Sequence, residues 1–212
     1  MSIPAQLTIK LELTDPQLMP SKASPDSAGF DLKARQDYYI VPGQTVFVAT
    51  GVKLALPEGS EAQVRPRSGL SAKSRLRLTN SPGTIDADYR DEIKVIVHNA
   101  FVQSELPSLV AGSSPLLERF GPICQELSLL DYLTEEGREP GQLTRQYPRT
   151  LLLSPVYLNK EGRLWGTEHI LQYERIAQLV CQGLDPVQFD PVADVKVFGS
   201  DRGGGFGHSG RL

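Results

Sequence analysis

Apolar residues recur along much of this chain at every second position. In "AQLTIKLEL" (5–13), Leu7, Ile9, Leu11 and Leu13 alternate with other residues, which predicts a half-buried strand. The same short-strand signal returns in "TVFVA" (45–49), "VKLAL" (52–56), "EIKVIVHNA" (92–100), "RIAQLV" (175–180) and "VKVF" (195–198). Pro42-Gly43, Pro57-Glu58-Gly59 and Pro82-Gly83 mark turns between them. Many short strands with no alternating helices predict a mainly β architecture: sandwich, jelly roll or barrel.

The period changes between residues 103 and 168. Ser114-Pro115 is a plausible helix start, and Ile123, Leu127 and Leu130 follow at helical spacing, with Gly121-Pro122 interrupting or restarting the helix. "RTLLLSPVYL" and "RLW" then read as strands, with "NKEG" as a hairpin turn. The chain thus divides into a core first part (1–102), an inserted α/β subdomain (103–168), a core second part (169–200) and a Gly-rich arm (201–212). Leu116, Ile123, Leu127, Leu130 and Trp165 give the insertion apolar residues that need a place to bury.

Composition narrows the classes. A length of 212 residues suits one domain, or one domain with a large insertion, and 40% hydrophobic residues suffice for a core. A net charge of −3 argues against a broad nucleic-acid surface, so an anionic ligand needs local cations or a metal. Cys124 and Cys181 form no CxxC and read as packing thiols in a reducing compartment. No charged-then-apolar leader and no run of about 18 apolar residues is visible, so a cytoplasmic protein without a membrane partner is expected.

Polar stretches interrupt the strands. In "SAGFDLKA" (27–34), Asp31 reads either as a turn aspartate or as a carboxylate holding Mg²⁺, directly or through water. In "RPRSGLS" (65–71), Arg67, Ser68 and Gly69 form either a polar turn or a small anion site of guanidinium, hydroxyl and backbone N–H. A nucleophilic serine fits poorly, because GxSxG is absent and there are only 3 histidines. "NSPGTIDADYRDEIKV" (80–95) crowds Asp86, Asp88, Asp91 and Glu92. It reads as a solvated acidic turn, or as Asp86 set against Ile85 to act as general base on a water, with Tyr89 stacked on a sugar. "YERIAQLV" (173–180) reads as a buried strand in which Arg175 and Gln178 are unusual. In "DRGGGFGHSGRL" (201–212), glycines allow backbone to approach phosphate, Arg202 supplies a fork of donors and Phe206 is free to stack on a base. Such a tail is disordered by default and orders on a ligand.

Taken in order, "AGFDL", "PRSGLS", "GTIDADYR", "ERIAQLV" and "RGGGFGHSG" resemble the sequential motifs of the trimeric deoxyuridine triphosphatase (dUTP pyrophosphatase) family, over residues 1 to about 100 and about 168 to 212. The resemblance implies a jelly-roll-like β-barrel, a homotrimer with active sites shared between chains, and Mg²⁺-assisted hydrolysis of dUTP to dUMP and pyrophosphate. Such an activity supplies dUMP for thymidylate synthesis and keeps uracil out of DNA. By motif, Asp31 would hold metal-bound water, and Arg67, Ser68, Gly69 and Gln178 the phosphates. Asn80 would contact the uracil or the ordered water, Thr84 and Ile85 the nucleoside, Asp86 would orient and deprotonate the attacking water, and Tyr89 would pack on the deoxyribose. Lys94 would border the substrate, while Arg202, Phe206, Gly207 and Ser209 would close over it.

Three departures from the family pattern stand out. The tail is one residue shorter between Arg202 and Phe206, Asp91 occupies a position usually held by glycine, and the insertion replaces a short connection. That insertion is either a surface elaboration on the trimer or a docking module for another protein, the second giving a regulatory protein built on this fold. The related dCTP deaminases would need a glutamate-centred site, which "GTIDADY" and "GGFGHSG" do not match.

Overall fold

The computed structural model describes residues 7–102 and 120–199. Its strands in chain order are β1 (Lys10–Leu13), β2 (Phe30–Lys33), β3 (Tyr38–Ile40), β4 (Thr45–Ala49), β5 (Val52–Ala55), β6 (Ser60–Pro66), β7 (Leu76–Leu78), β8 (Gly83–Ile85), β9 (Lys94–Asn99), β10 (Gln125–Ser128), β11 (Pro155–Leu158), β12 (Glu168–Ile170) and β13 (Arg175–Gly183). A short helix α1 (Ser68–Lys73) follows β6.

Alternation builds the central sheet. β6 buries Ser60, Ala62 and Val64 and turns Glu61, Gln63 and Arg65 away from the core. It lies between β13 and β8, and β13 also pairs with β2, giving the order β2-β13-β6-β8 with antiparallel neighbours. A second sheet, β4-β9-β7, presents Val95 and Val97 from one face of β9. Two-stranded pairs β1-β5 and β3-β12 complete the framework. One cluster joins these pieces, with Leu32, Ile40, Val48, Ile93, Val97, Ile170 and Ile176 fully buried. The protein is mainly β, with an inserted α/β subdomain.

In that subdomain β10 pairs with β11, and helices run over Leu129–Glu135, Pro140–Gln146 and Arg149–Leu152. Ser128 caps the first, its Oγ accepting from the Asp131 N–H at 3.1 Å. Leu143, Leu152, Val156 and Leu158 are buried within it. A separate aromatic cluster of Phe101, Trp165, Phe120 and Tyr157 forms where the insertion meets the barrel. Asn99, fully buried at the end of β9, ties that junction. Its Nδ2 donates to the carbonyls of Ile40 (2.8 Å) and Gly166 (2.7 Å), and its Oδ1 accepts from the Phe101 N–H (3.0 Å).

Several sequence expectations change. "VKVF" is no strand: Val195–Val197 form a 3₁₀ turn with Val195, Val197 and Phe198 exposed, because no neighbouring strand pairs with them among the described residues. Arg149–Leu152 is helical, with Pro148 in the N-cap position, so only "PVYL" of "RTLLLSPVYL" is a strand. Ile123, Leu127 and Leu130 share no helix: Ile123 is in coil, Leu127 in β10 and Leu130 in the following helix. "NKEG" does turn the chain, with the Asn159 N–H donating to the Arg163 carbonyl at 2.9 Å, but "RLW" contributes only an isolated bridge at Leu164. Cys124 is exposed, not packed, whereas burial pushes the half-buried Cys181 thiol pKa up. The expected helix start at Ser114-Pro115, Leu116 and the 201–212 arm lie outside the described residues. Among the described residues, no helix is long and apolar enough to cross a membrane.

Candidate active site

Asp31 sits in β2 opposite Gln178 of β13, which in turn faces Arg65 of β6. The Asp31 side chain is only 3% exposed. A buried carboxylate needs partners, and two arginines supply them. Arg67, at the junction of β6 and α1, donates Nε–H to Oδ1 at 2.9 Å. Arg175 donates Nη1–H to Oδ2 at 3.3 Å. Arg67 Nη1 also donates to the Arg175 carbonyl at 3.0 Å, so the two arginines are coupled.

Local backbone explains how Arg175 arrives there. The β13 register slips between Arg175 and Ala177, and such a bulge re-aims side chains. Just before it, Tyr173 takes a positive φ of 65°, unusual for a residue with a Cβ. Its N–H donates to the Ala34 carbonyl at 2.8 Å, and its hydroxyl donates to Asp15 Oδ2 at 2.6 Å. That hydroxyl, with the Gln17 N–H and the Lys33 charge, holds the Asp15 carboxyl below the ordinary aspartate range. The same bond pushes the Tyr173 phenol up.

Arg67, Gly69, Leu70, Lys73, Glu174 and Arg175 line a cleft of about 320 Å³ beside this pair. Three cations meet one carboxylate on the lining and Asp31 behind it, so the cleft favours an anion. Gly69 is exposed on the lining, with the exposed Ser68 next to it in the chain, and an added Cβ at Gly69 would meet nothing within 4 Å. A ligand therefore has room against that backbone. Gln178 is half-buried in the row beside Asp31.

A second group surrounds β8. Asn80 folds back over Gly83, where an added Cβ would lie 2.9 Å from Asn80 Nδ2. Thr84 is exposed and Ile85 half-buried. Asp86 is exposed in the single chain. Its carbonyl accepts from the Tyr89 N–H at 3.1 Å, and the Tyr89 hydroxyl donates to the Glu92 carbonyl at 3.1 Å. Glu92 serves the framework: Oε1 accepts the Gly51 N–H at 2.6 Å and Oε2 lies 3.3 Å from Arg35 Nη1. Lys94 is exposed at the start of β9, in the other sheet.

Register measures the gap between the groups. Asp31 is level with Gln178, whereas Ile85 is level with Ala62 and Cys181, three positions along β13 and three strands across. At about 3.3 Å per residue and about 4.8 Å per strand, that is about 17 Å. The structure thus gathers Asp31, Arg67, Ser68, Gly69 and Gln178, gathers Asn80, Thr84, Ile85, Asp86 and Tyr89 separately, and does not join the two within one chain. Arg202, Phe206, Gly207 and Ser209 lie outside the described residues.

Sequence reading gave no role to Arg175, Lys73 or Glu174. The available signal was a charged pair, Glu174-Arg175, placed directly against an apolar strand. Among the described residues, no group of three or more His, Cys, Asp and Glu is placed to hold a metal. Asp31 fits a role through water only: each of its oxygens already accepts one guanidinium N–H and keeps a lone pair for a solvent donor.

A family model described as dUTPase matches residues 15–104. Deoxyuridine 5'-triphosphate nucleotidohydrolase of Rhodococcus erythropolis is 48% identical over 94 residues, 44% of this chain and 57% of its own. Its namesake in Chlamydia pneumoniae is 46% identical over 95 residues, 44% of this chain and 66% of its own. The match thus spans less than two thirds of the length of both. The namesake in Corynebacterium glutamicum is 40% identical over 138 residues, 65% of this chain and 88% of its own. Among solved structures, Staphylococcus bacteriophage 80alpha dUTPase with dUPNHPP superposes with a TM-score of 0.64 at 21% identity, over 96% of this chain and 99% of that one. The dUTPase from phage phi11 of S. aureus, which has a species-specific insert, gives 0.59 at 20% identity, over 90% and 99%. Both structures share the fold described above.

Proposed function

The chain belongs to the dUTPase family, and on that premise we propose that it hydrolyses dUTP to dUMP and pyrophosphate. The observation that carries this reading is the Asp31–Arg67–Arg175 arrangement at a cationic cleft, next to Gln178 and open above Gly69. A triphosphate is the ligand class that needs several cations and close backbone approach together.

In this mechanism Arg67, Ser68, Gly69 and Gln178 bind the phosphate chain, and Asp31 fixes the plane of the Arg67 guanidinium. The backbone of Thr84 and Ile85 reads the uracil edge, with Asn80 beside it, and a pocket too narrow for a methyl group rejects thymine. Asp86 takes the proton of a water aligned on the α-phosphorus, and the new O–P bond forms as the bond to the pyrophosphate oxygen breaks. Tyr89 covers the deoxyribose where a 2′-hydroxyl would collide. Lys94 borders the substrate. Arg202, Phe206, Gly207 and Ser209 close over the nucleotide and exclude bulk water. Asp31 would help hold Mg²⁺ through water, and the ion would supply charge neutralisation at the phosphates.

Because Ile85, next to Asp86, stands about 17 Å from Asp31 in one chain, the working site combines Asp31 of one copy with Asp86 of another, in a homotrimer. Exposed apolar residues between β13 and the arm support this assembly: Phe189 is 90% and Val187 75% accessible in the single chain. The direct test is pyrophosphate release from dUTP by wild type and Asp86→Asn. Failure of wild type to release pyrophosphate removes the assigned reaction, and equal rates remove Asp86 as the base.

A second reading is favoured by exposed Tyr147, Leu151 and Leu153 on the insertion, namely that this subdomain docks a protein partner under nucleotide control. The 80alpha protein belongs to phage dUTPases described as controlling transfer of virulence genes by a G protein-like mechanism. Deletion of 104–167 with turnover, assembly and all protein contacts unchanged would remove this reading.

A further inference from the structure

A cavity of about 470 Å³ lies away from the Asp31 cleft, at the junction of barrel and insertion. Tyr39 of β3 and His169 of β12 form its barrel wall. Phe120, Gly121 and the Asn159–Arg163 hairpin form its insertion wall. Three planar groups stack there. The Arg163 guanidinium carbon is 3.4 Å from the Tyr39 ring centroid, and the Tyr39 and His169 rings lie 4.0 Å apart at 16°.

Such stacking fixes the plane of a guanidinium and leaves its N–H edge free. Arg163 has no side-chain hydrogen bond or ion pair among the described residues. His169 Nε2 is buried with no hydrogen-bond partner and stands 3.6 Å from Asp37 Oδ2. Asn159 Oδ1 accepts the N–H groups of Glu161 and Arg163, which shapes the hairpin and leaves the Asn159 amide N–H₂ uncommitted. Lys160 adds a further cation, offset in part by Glu161 at 3.7 Å.

We propose that this cavity binds a small phosphate-bearing ligand, gripped edge-on by Arg163 with the Asn159 amide and the Lys160 ammonium beside it. Donors of three kinds on one hairpin suit a tetrahedral anion with several free oxygens better than a planar carboxylate. The volume is that of a small-molecule pocket, enough for a ligand of mononucleotide size. Such a ligand bridges the insertion to the barrel and stabilises their junction by mass action.

The chain carries its own reporter. Trp165 is its 1 tryptophan, fully buried, and its Nε1–H donates at 2.8 Å to the carbonyl of Gly121, a residue of the cavity wall. Intrinsic fluorescence is titrated with inorganic phosphate at constant ionic strength, against chloride and acetate. Wild type is expected to give a saturable change with phosphate. Arg163→Gln should weaken it by roughly tenfold or more while leaving dUTP turnover unchanged. Arg163→Lys, which keeps the charge and loses the fork, should fall between and serves if Arg163→Gln does not fold. A flat wild-type titration, an equal response in both variants, or acetate or chloride matching phosphate would overturn the proposal.

Discussion

Arg175 and Asp31 meet across a β-bulge: Nη1 of the one lies 3.3 Å from Oδ2 of the other, while Arg67 holds Oδ1 at 2.9 Å. The Arg175 side chain is half exposed, so its pairing with Asp31 adds little stability, about 0–1 kcal/mol. Its larger effect is on anion binding. Arg175→Ala is expected to raise KM for dUTP several-fold and to leave urea unfolding nearly unchanged. Asp31→Asn is different, because it leaves the Arg67 Nε–H facing an amide in a buried place. That variant should lose about 1–3 kcal/mol of stability as well as turnover, measured by urea unfolding and pyrophosphate release.

The Asp15–Tyr173 bond gives stability a pH signature. Asp15 titrates below its ordinary value in the folded chain, so its contribution is complete above about pH 4 and fades as pH falls through the lowered value. Tyr173 titrates above its ordinary value, so its contribution is complete below about pH 10 and fades as pH rises through the raised value. Tyr173→Phe should lower Tm across the neutral range and converge on wild type at both extremes. A constant offset at every pH would show that the bond contributes through packing alone.

At Gly166, φ is +94° and an added Cβ would stand 2.4 Å from Phe101 Cδ1. Gly166→Ala must therefore displace the Phe101 ring and bend the chain away from Asn99. A loss of about 2–4 kcal/mol is expected, with Trp165 emission shifted to the red. Asn99→Ala should cost a similar amount, because it strips the buried carbonyls of Ile40 and Gly166 of their donor. Thermal unfolding followed by fluorescence measures both.

The apolar stretch after β13 predicts assembly. On the proposed trimer, Val187→Asp with Phe189→Asp should shift sedimentation toward the monomer and reduce turnover while preserving the far-ultraviolet spectrum. Turnover that survives in a monomer would show that one chain holds a complete site.

Much of the barrel was legible because period-two apolar runs mark strands whatever lies around them. β4, β5, β9 and β13 fall where Val46, Val48, Val52, Leu54, Val95, Val97, Ile176 and Leu179 place them. β6 was harder to see, because small Ser60 and Ala62 occupy its buried positions and polar residues fill the rest. "VKVF" failed for the opposite reason: β-branched residues favour strands only where a neighbour exists to pair with. In the site, Arg67 and Asp31 belong to separate motifs, and the sequence contains nothing that says they touch. Arg175 reaches Asp31 only through the bulge and the positive φ of Tyr173, features of backbone geometry that residue patterning does not encode.

Asn99 holds the chain on both sides of the insertion, accepting the N–H of Phe101 as the segment leaves and donating to the carbonyl of Gly166 as it returns. To the barrel, everything in between is a closed loop whose ends are already side by side. The closure entropy of such a loop grows only slowly with its length. This junction is therefore a natural grafting port: a longer, shorter or foreign segment can be exchanged there while the strand that carries Asp31 and the strand that leads into Asp86 keep their register.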